Sequence, residues 1–201
     1  DFVQALFIFT ATRYIAEYQE GAMPLGVLGA CNFLAYAVSC GISGHLSDRF
    51  GRRRLIVLGS FVFVAAFALA LQSLEPPLVY FAVVLSGTAA GLVFPSVMAL
   101  ITAVQVHGDH GQAASAPIIA FCLWWNAGVF FGQSGGGLLF EIDPEVCLFA
   151  GLAAGALIAP LVIGIPRKPT ATVSTDAMPV AEFIHPNAPR FFAVAAWLAN
   201  I

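Results

Sequence analysis

The chain has 201 residues, of which 60% are hydrophobic and 9% charged. Soluble domains are about 25% charged, so this sequence cannot cover a fold of its size with a polar skin, and an integral membrane protein is the class its composition leaves. The formal net charge of −3 comes from 8 basic and 11 acidic residues held apart in short segments, and the single dense basic cluster sits between apolar runs, which excludes nucleic acid as a partner.

A membrane-crossing helix needs about 20 predominantly apolar residues. Taken in order, the sequence predicts spans over residues 2–18, 22–43, 55–73, 78–104, 114–140 and 146–165, with a seventh beginning near Phe191. Pro95, Pro117 and Pro160 fall inside these runs, which membrane helices tolerate where neighbours re-satisfy the backbone. Residues 166–189 are rich in Pro, Thr, Ser and Ala and read as a polar connector. The expected organisation is a six-helix bundle over 1–165, a connector over 166–189 and the start of a second bundle over 190–201, in a fragment of a longer polytopic chain. No signal peptide is recognisable, because the first run lacks a basic leader.

Lys and Arg accumulate in short cytoplasmic loops. Between the second and third spans stand Arg49, Arg52, Arg53 and Arg54, and the connector region holds Arg167, Lys168 and Arg190. Four predicted crossings separate the two groups, which puts both on one side. The other loops carry Glu17, Glu20, Glu75, Glu141, Asp143 and Glu145 and no Lys or Arg. Both basic regions are therefore expected in the cytoplasm.

A topology signal needs basic residues in any order, yet the segment GHLSDRFGRRR (residues 44–54) has a tight pattern. Gly44 permits close backbone approach and Gly51 a sharp turn. Asp48 is an acid in a basic loop, which calls for a specific partner. The segment resembles the G-x-L-x-D-R-x-G-R-R/K signature of the major facilitator superfamily of secondary transporters, matching it at Gly44, Leu46, Asp48, Arg49, Gly51, Arg52 and Arg53. The resemblance extends over the whole chain, and implies an all-α polytopic membrane protein that forms the N-terminal six-transmembrane-helix half of a transporter in the cell membrane. By that resemblance the motif closes the cytoplasmic side against a second half, with Asp48 and Arg52 in that role.

Two further segments are similar to family elements with departures. Gly87, Gly91 and Pro95 fit a G-x-x-x-G-x-x-x-P pattern, but Val83 stands where an Arg associated with proton coupling often precedes it. GQSGGG at 132–137 is similar to an antiporter G-P-x-x-G-G element with Gln133 in place of Pro. Both departures count against a proton-driven drug antiporter.

Polar groups inside a membrane are expensive and invite a functional reading. Arg13 could meet an anionic solute or pair with Glu17 one turn away. Asn32 and Tyr36, four apart, could line a cavity or bond a neighbouring helix. Trp125 and Asn126, beside Trp124, and Gln133 are further cavity candidates against plain packing or lipid contact. Gly132, Gly136 and Gly137, like Gly87, Gly91 and Pro95, read as helix-packing positions, with Gly128 and Gly135 beside them. The HGDHG stretch at 107–111 and His185 read as solvated loop rather than metal ligands. The cysteines Cys31, Cys40, Cys122 and Cys147 show no metal-ligand spacing and read as small apolar packing.

No nucleophile–base pair or phosphate-cradling loop is evident, so no cofactor, metal or enzymatic activity is expected. The leading reading is a permease moving a small solute, with a coupling ion, by alternating access. A non-transporting protein using the same bundle as receptor, sensor or assembly factor is the alternative. The lack of acids in the cores of spans two to six counts against a cationic solute unless the second half supplies them. Sugars, carboxylates and organic phosphates remain open.

Overall fold

The computed structural model describes residues 1–18, 22–73, 75–105 and 115–164, with the side chains of 100–105 and 115–118 left aside. The connector, the expected seventh helix and the HGDHG stretch lie outside what is described, and Pro117 falls in the first turn of the fifth helix. Six helices follow one another: α1 (Phe2–Tyr18), α2 (Ala22–Phe50), α3 (Arg52–Gln72), α4 (Pro76–Gln105), α5 (Ser115–Ile142) and α6 (Pro144–Gly164). Helices are the form such apolar runs must take, because lipid offers no hydrogen bonds to the backbone.

Local chemistry sets several boundaries. Pro76 and Pro144 open α4 and α6, where the missing N–H costs nothing and the fixed φ suits the first turn. The carbonyl of Glu75 accepts from the N–H groups of Leu78 and Val79 at 2.9 and 3.1 Å. Before α6, the Asp143 carboxylate accepts the N–H of Glu145 at 2.7 Å, an N-terminal cap.

One boundary departs from the expectation. The second helix does not stop at residue 43 but runs 29 residues to Phe50, so the charged segment is helical up to Gly51 and there is no loop to hold it. Charge marks where a helix leaves the lipid, not where it ends. Ser43 and Ser47 donate to the carbonyls of Cys40 and Gly44 at 3.0 and 2.9 Å, satisfying their hydroxyls without breaking the helix.

Helix α4 is the hub. It packs along α2 on one side and α3 on the other, and touches α1. Helix α3 leans on α6, and α1 lies against α5 and α6. Helices α2 and α5 are not a packed pair in the described residues. The core joins α1, α3, α4 and α6 through Phe7, Ile15, Phe63, Phe67, Val79, Val83 and Leu148. Phe7 and Phe67 meet edge to face, centroids 4.8 Å apart at 88°, and the ring of Phe67 fills the space a side chain at Gly151 would need.

Among the described residues, four helices are long and apolar enough to cross a membrane by length and composition: α2, α3, residues 76–99 of α4, and α6. Helix α1 is 17 residues long, and α5 carries Asn126, Gln133 and Ser134 within its apolar run. Both pack within the bundle those four helices build. The protein is a multi-pass membrane protein.

Candidate functional site

The turn between α2 and α3 is a single residue. Gly51 has φ 88°, the sole positive φ among the described residues, a conformation that a side chain strains. Its N–H donates to the Ser47 carbonyl at 3.0 Å, and its own carbonyl accepts from Arg54 at 3.1 Å. The chain therefore reverses between two helices with no orphaned turn. Arg52, first in α3, reaches across and donates to the Ala99 carbonyl on α4, tying the turn to the hub helix. Leu46 and Arg53 are half-buried, whereas Gly44, Asp48 and Arg49 are exposed. Arg49 lies over the Phe50 ring, 5.8 Å from its centroid. Asp48 makes no ion pair with another described residue, and Arg52 is directed at a backbone carbonyl rather than at it. A side chain on Gly44 would meet nothing within 4 Å, so the close approach expected there does not occur within this bundle.

Between the first turn of α1 and the inner parts of α2 and α4 the structure brings together three polar side chains. Asn32 on α2 is buried, and its amide donates to the Val83 carbonyl on α4 at 3.1 Å. Gln4 on α1 donates to the Asn32 side-chain oxygen at 3.3 Å. Ser86 on α4, fully buried, donates to the Gln4 side-chain oxygen at 2.8 Å. Asn32 was legible as a candidate; Gln4 and Ser86 were not singled out. The signal was there, an amide and a hydroxyl inside apolar runs, but only the fold shows that they converge.

One turn beyond Asn32 along α2 and two turns beyond Ser86 along α4, aromatic rings cross from α2 through α4 to α5. Tyr36 lies 6.3 Å from Phe94, Phe94 lies 4.5 Å from Trp125, and Trp125 lies 5.5 Å from Phe121, centroid to centroid. All four are half-buried. The remaining candidates stand apart. Asn126 is exposed and donates to the Cys122 carbonyl of its own helix at 2.7 Å. Gln133, two turns further along α5, is exposed. Arg13 is exposed and pairs with Glu17 at 3.2 Å, about 14 Å along α1 from Gln4 at 1.5 Å per residue.

The glycines divide. A Cβ on Gly91 would sit 2.6 Å from the Ser39 Cβ and 2.7 Å from the Tyr36 carbonyl oxygen, and one on Gly87 would strike the Asn32 carbonyl. On α5, a Cβ on Gly132 would sit 2.7 Å from the Ala5 Cβ and the Phe2 carbonyl oxygen, and one on Gly136 would sit 2.9 Å from the Phe9 ring. Gly137 differs: a Cβ there would meet only Phe9, at an ordinary 3.7 Å, which puts the position at the edge of the α1–α5 seam. Pro95 is half-buried within α4. Cys147 is buried and shares a hydrogen bond with the Thr10 hydroxyl at 2.8 Å. No cluster of metal-ligating side chains occurs among the described residues.

The sequence model of the Major Facilitator Superfamily matches residues 2–200. The chain belongs to this superfamily. Similar proteins carry matching names. An uncharacterized MFS-type transporter of Mycobacterium tuberculosis is 26% identical over 161 residues, 77% of this chain and 37% of that protein. The multidrug efflux pump LfrA of Mycolicibacterium smegmatis is 33% identical over 127 residues, 62% of this chain and 24% of its own length. Multidrug resistance protein 1 of Bacillus subtilis is 26% identical over 153 residues, 76% and 38% of the two chains. The chain thus spans between a quarter and two fifths of the length of these superfamily relatives.

Proposed function

We propose that the intact protein is a secondary transporter that carries a small planar amphipathic solute across the cell membrane by alternating access. Superfamily membership supports transport. The solute class is carried by one observation: half-buried rings from three helices, Tyr36, Phe94 and Trp125, lie next to one another, one turn along α2 and two along α4 from the Gln4–Asn32–Ser86 trio. Substrate sites of such carriers lie near the bilayer midplane between two bundles. Here α2 and α5 would form the walls and α1 and α4 the floor of the half of the site that this bundle supplies. Trp125, Tyr36, Asn126 and Gln133 would then face or border the solute, and Asn32 would support the floor. Arg13, paired with Glu17 and remote from the trio, would lie toward one mouth.

The names of the relatives favour a lipophilic drug-like solute. The sequence contains no acid in the cores of α2 to α6, and ring faces can hold a delocalised cation without one. Val83 and Gln133 stand against proton coupling through the groups that the superfamily resemblance points to. Solute class and coupling ion are separate matters, and the proposal keeps both. The Gly44–Arg53 motif would face the cytoplasm, with Arg52 fixed on α4 and exposed Asp48 available to the second bundle.

In proteoliposomes, the full-length protein should move rhodamine 6G or ethidium when an ion gradient is imposed. Absence of flux for both dyes under every gradient defeats the proposal. Asp48→Asn should lower flux by about fivefold or more, the scale of a lost coupling between states, and leave the cytoplasmic side more open to thiol labels. Single cysteines at Arg53 and Lys168 should react from the same face of the membrane; labelling from opposite faces removes the orientation.

A further inference from the structure

The hydrogen bonds of the trio fix which atoms are which. The Val83 carbonyl can only accept, so Asn32 must present its NH2 group there. Its oxygen therefore points to Gln4, and Gln4 must answer with its NH2 group. That leaves the Gln4 oxygen facing Ser86, whose hydroxyl donates to it. One backbone carbonyl thus sets the orientation of both amides, with no freedom to flip.

A carboxamide has two N–H groups. One of those on Gln4 is committed to Asn32, and the other has no acceptor among the described residues. Its position is half-open to the outside. Along α1, Gln4, Ile8 and Thr12 recur every four residues as a half-buried stripe. On one side of that stripe, Phe2, Ala5 and Phe9 are covered by the α5 glycines; on the other, Phe7 and Thr10 are covered by Phe67 and Cys147. The stripe is a face of α1 that its neighbours cover only in part: Ile8 leans on the core, and Gln4 meets Asn32 and Ser86 through hydrogen bonds.

We propose that Gln4 is a specificity-determining residue whose free N–H, aimed by Ser86 and Asn32, donates to an oxygen acceptor such as an ester or ketone carbonyl on the transported solute. A donor held in low dielectric favours solutes that bear such an oxygen, because a solute without one leaves it unpaired. The inference rests on the transport reading above.

The test uses the full-length protein in proteoliposomes with two planar cationic dyes: rhodamine 6G, which carries an ester carbonyl, and ethidium, which has no oxygen. Gln4→Met should raise KM for rhodamine 6G by about three- to tenfold, the worth of one net hydrogen bond, and leave ethidium within twofold, with kcat little changed for both. Ser86→Ala keeps the N–H but removes one of the two contacts that aim the Gln4 amide, so it should raise KM for rhodamine 6G alone, by less. That variant carries the test if Gln4→Met fails to fold. Equal changes for both dyes, or none, overturn the inference and leave the transport reading standing. A wild-type protein that moves neither dye defeats the transport reading and this inference with it.

Discussion

Helices α2 and α4 are pressed along each other, yet they are built in opposite ways. Of their most apolar stretches, 17% is buried in α2 and 56% in α4. The buried residues of α2 are Leu28, Asn32, Ser39, Ser43 and Ser47, while Phe33, Leu34, Val38 and Ile42 on the same helix are exposed. A soluble helix would do the reverse. In lipid, tails are as apolar as the large side chains, so what draws helices together is close packing of small residues and interhelical hydrogen bonds. Helix α4 answers with Val83, Ser86, Gly87, Ala90 and Gly91 on buried surface. The difference teaches that α2 has one committed face, toward α4, and a broad apolar face open to lipid or to another bundle.

The sharpest way to break this comparison is to fill the seam. Gly91→Leu would force atoms into space already held by Ser39, Tyr36 and Cys40. It should destabilise the protein by about 3 kcal/mol, the upper end for overpacking, read as a fall in the detergent melting temperature. An unchanged melt would mean the seam is looser than the structure has it. Next in size is the turn that feeds the seam. Gly51→Ala places a Cβ at φ 88° and should cost about 1–3 kcal/mol, although open space surrounds the position. Pure backbone strain predicts that every L-residue there behaves alike. The smallest effect belongs to the open face of α2. Gly44→Ala, with nothing within 4 Å, should shift stability by less than about 0.5 kcal/mol. Lower flux at unchanged stability would identify Gly44 as a contact for the second bundle; a large loss of stability would contradict the open face.

The comparison also explains what could be read in advance. The order of the six described helices followed from their long apolar runs, and Gly87, Gly91, Gly132 and Gly136 from their four-residue spacing within those runs. The end of α2 was misjudged, because five charges in residues 44–54 read as a loop although nothing before Gly51 stops a helix. Gly44 and Gly137 were also read as close-approach or packing positions, but neither has a glycine four residues away, and a Cβ would meet nothing within 4 Å at the first and only Phe9 at an ordinary distance at the second. Asn32 stood out as a buried amide, while Gln4, on a different helix, gained meaning only as its partner.

The sequence alone determined that this chain lies in a membrane, the order of the six helices among its described residues and where Gly51 bends it, because hydropathy, length and backbone freedom are properties of contiguous residues. Only the tertiary structure decided that Gln4, Asn32 and Ser86 bind one another, that Arg52 holds α4 rather than Asp48, and that rings from three helices lie side by side. Those are contacts between residues 28 to 82 positions apart, and their partners are chosen by how helices pack, which no local pattern records.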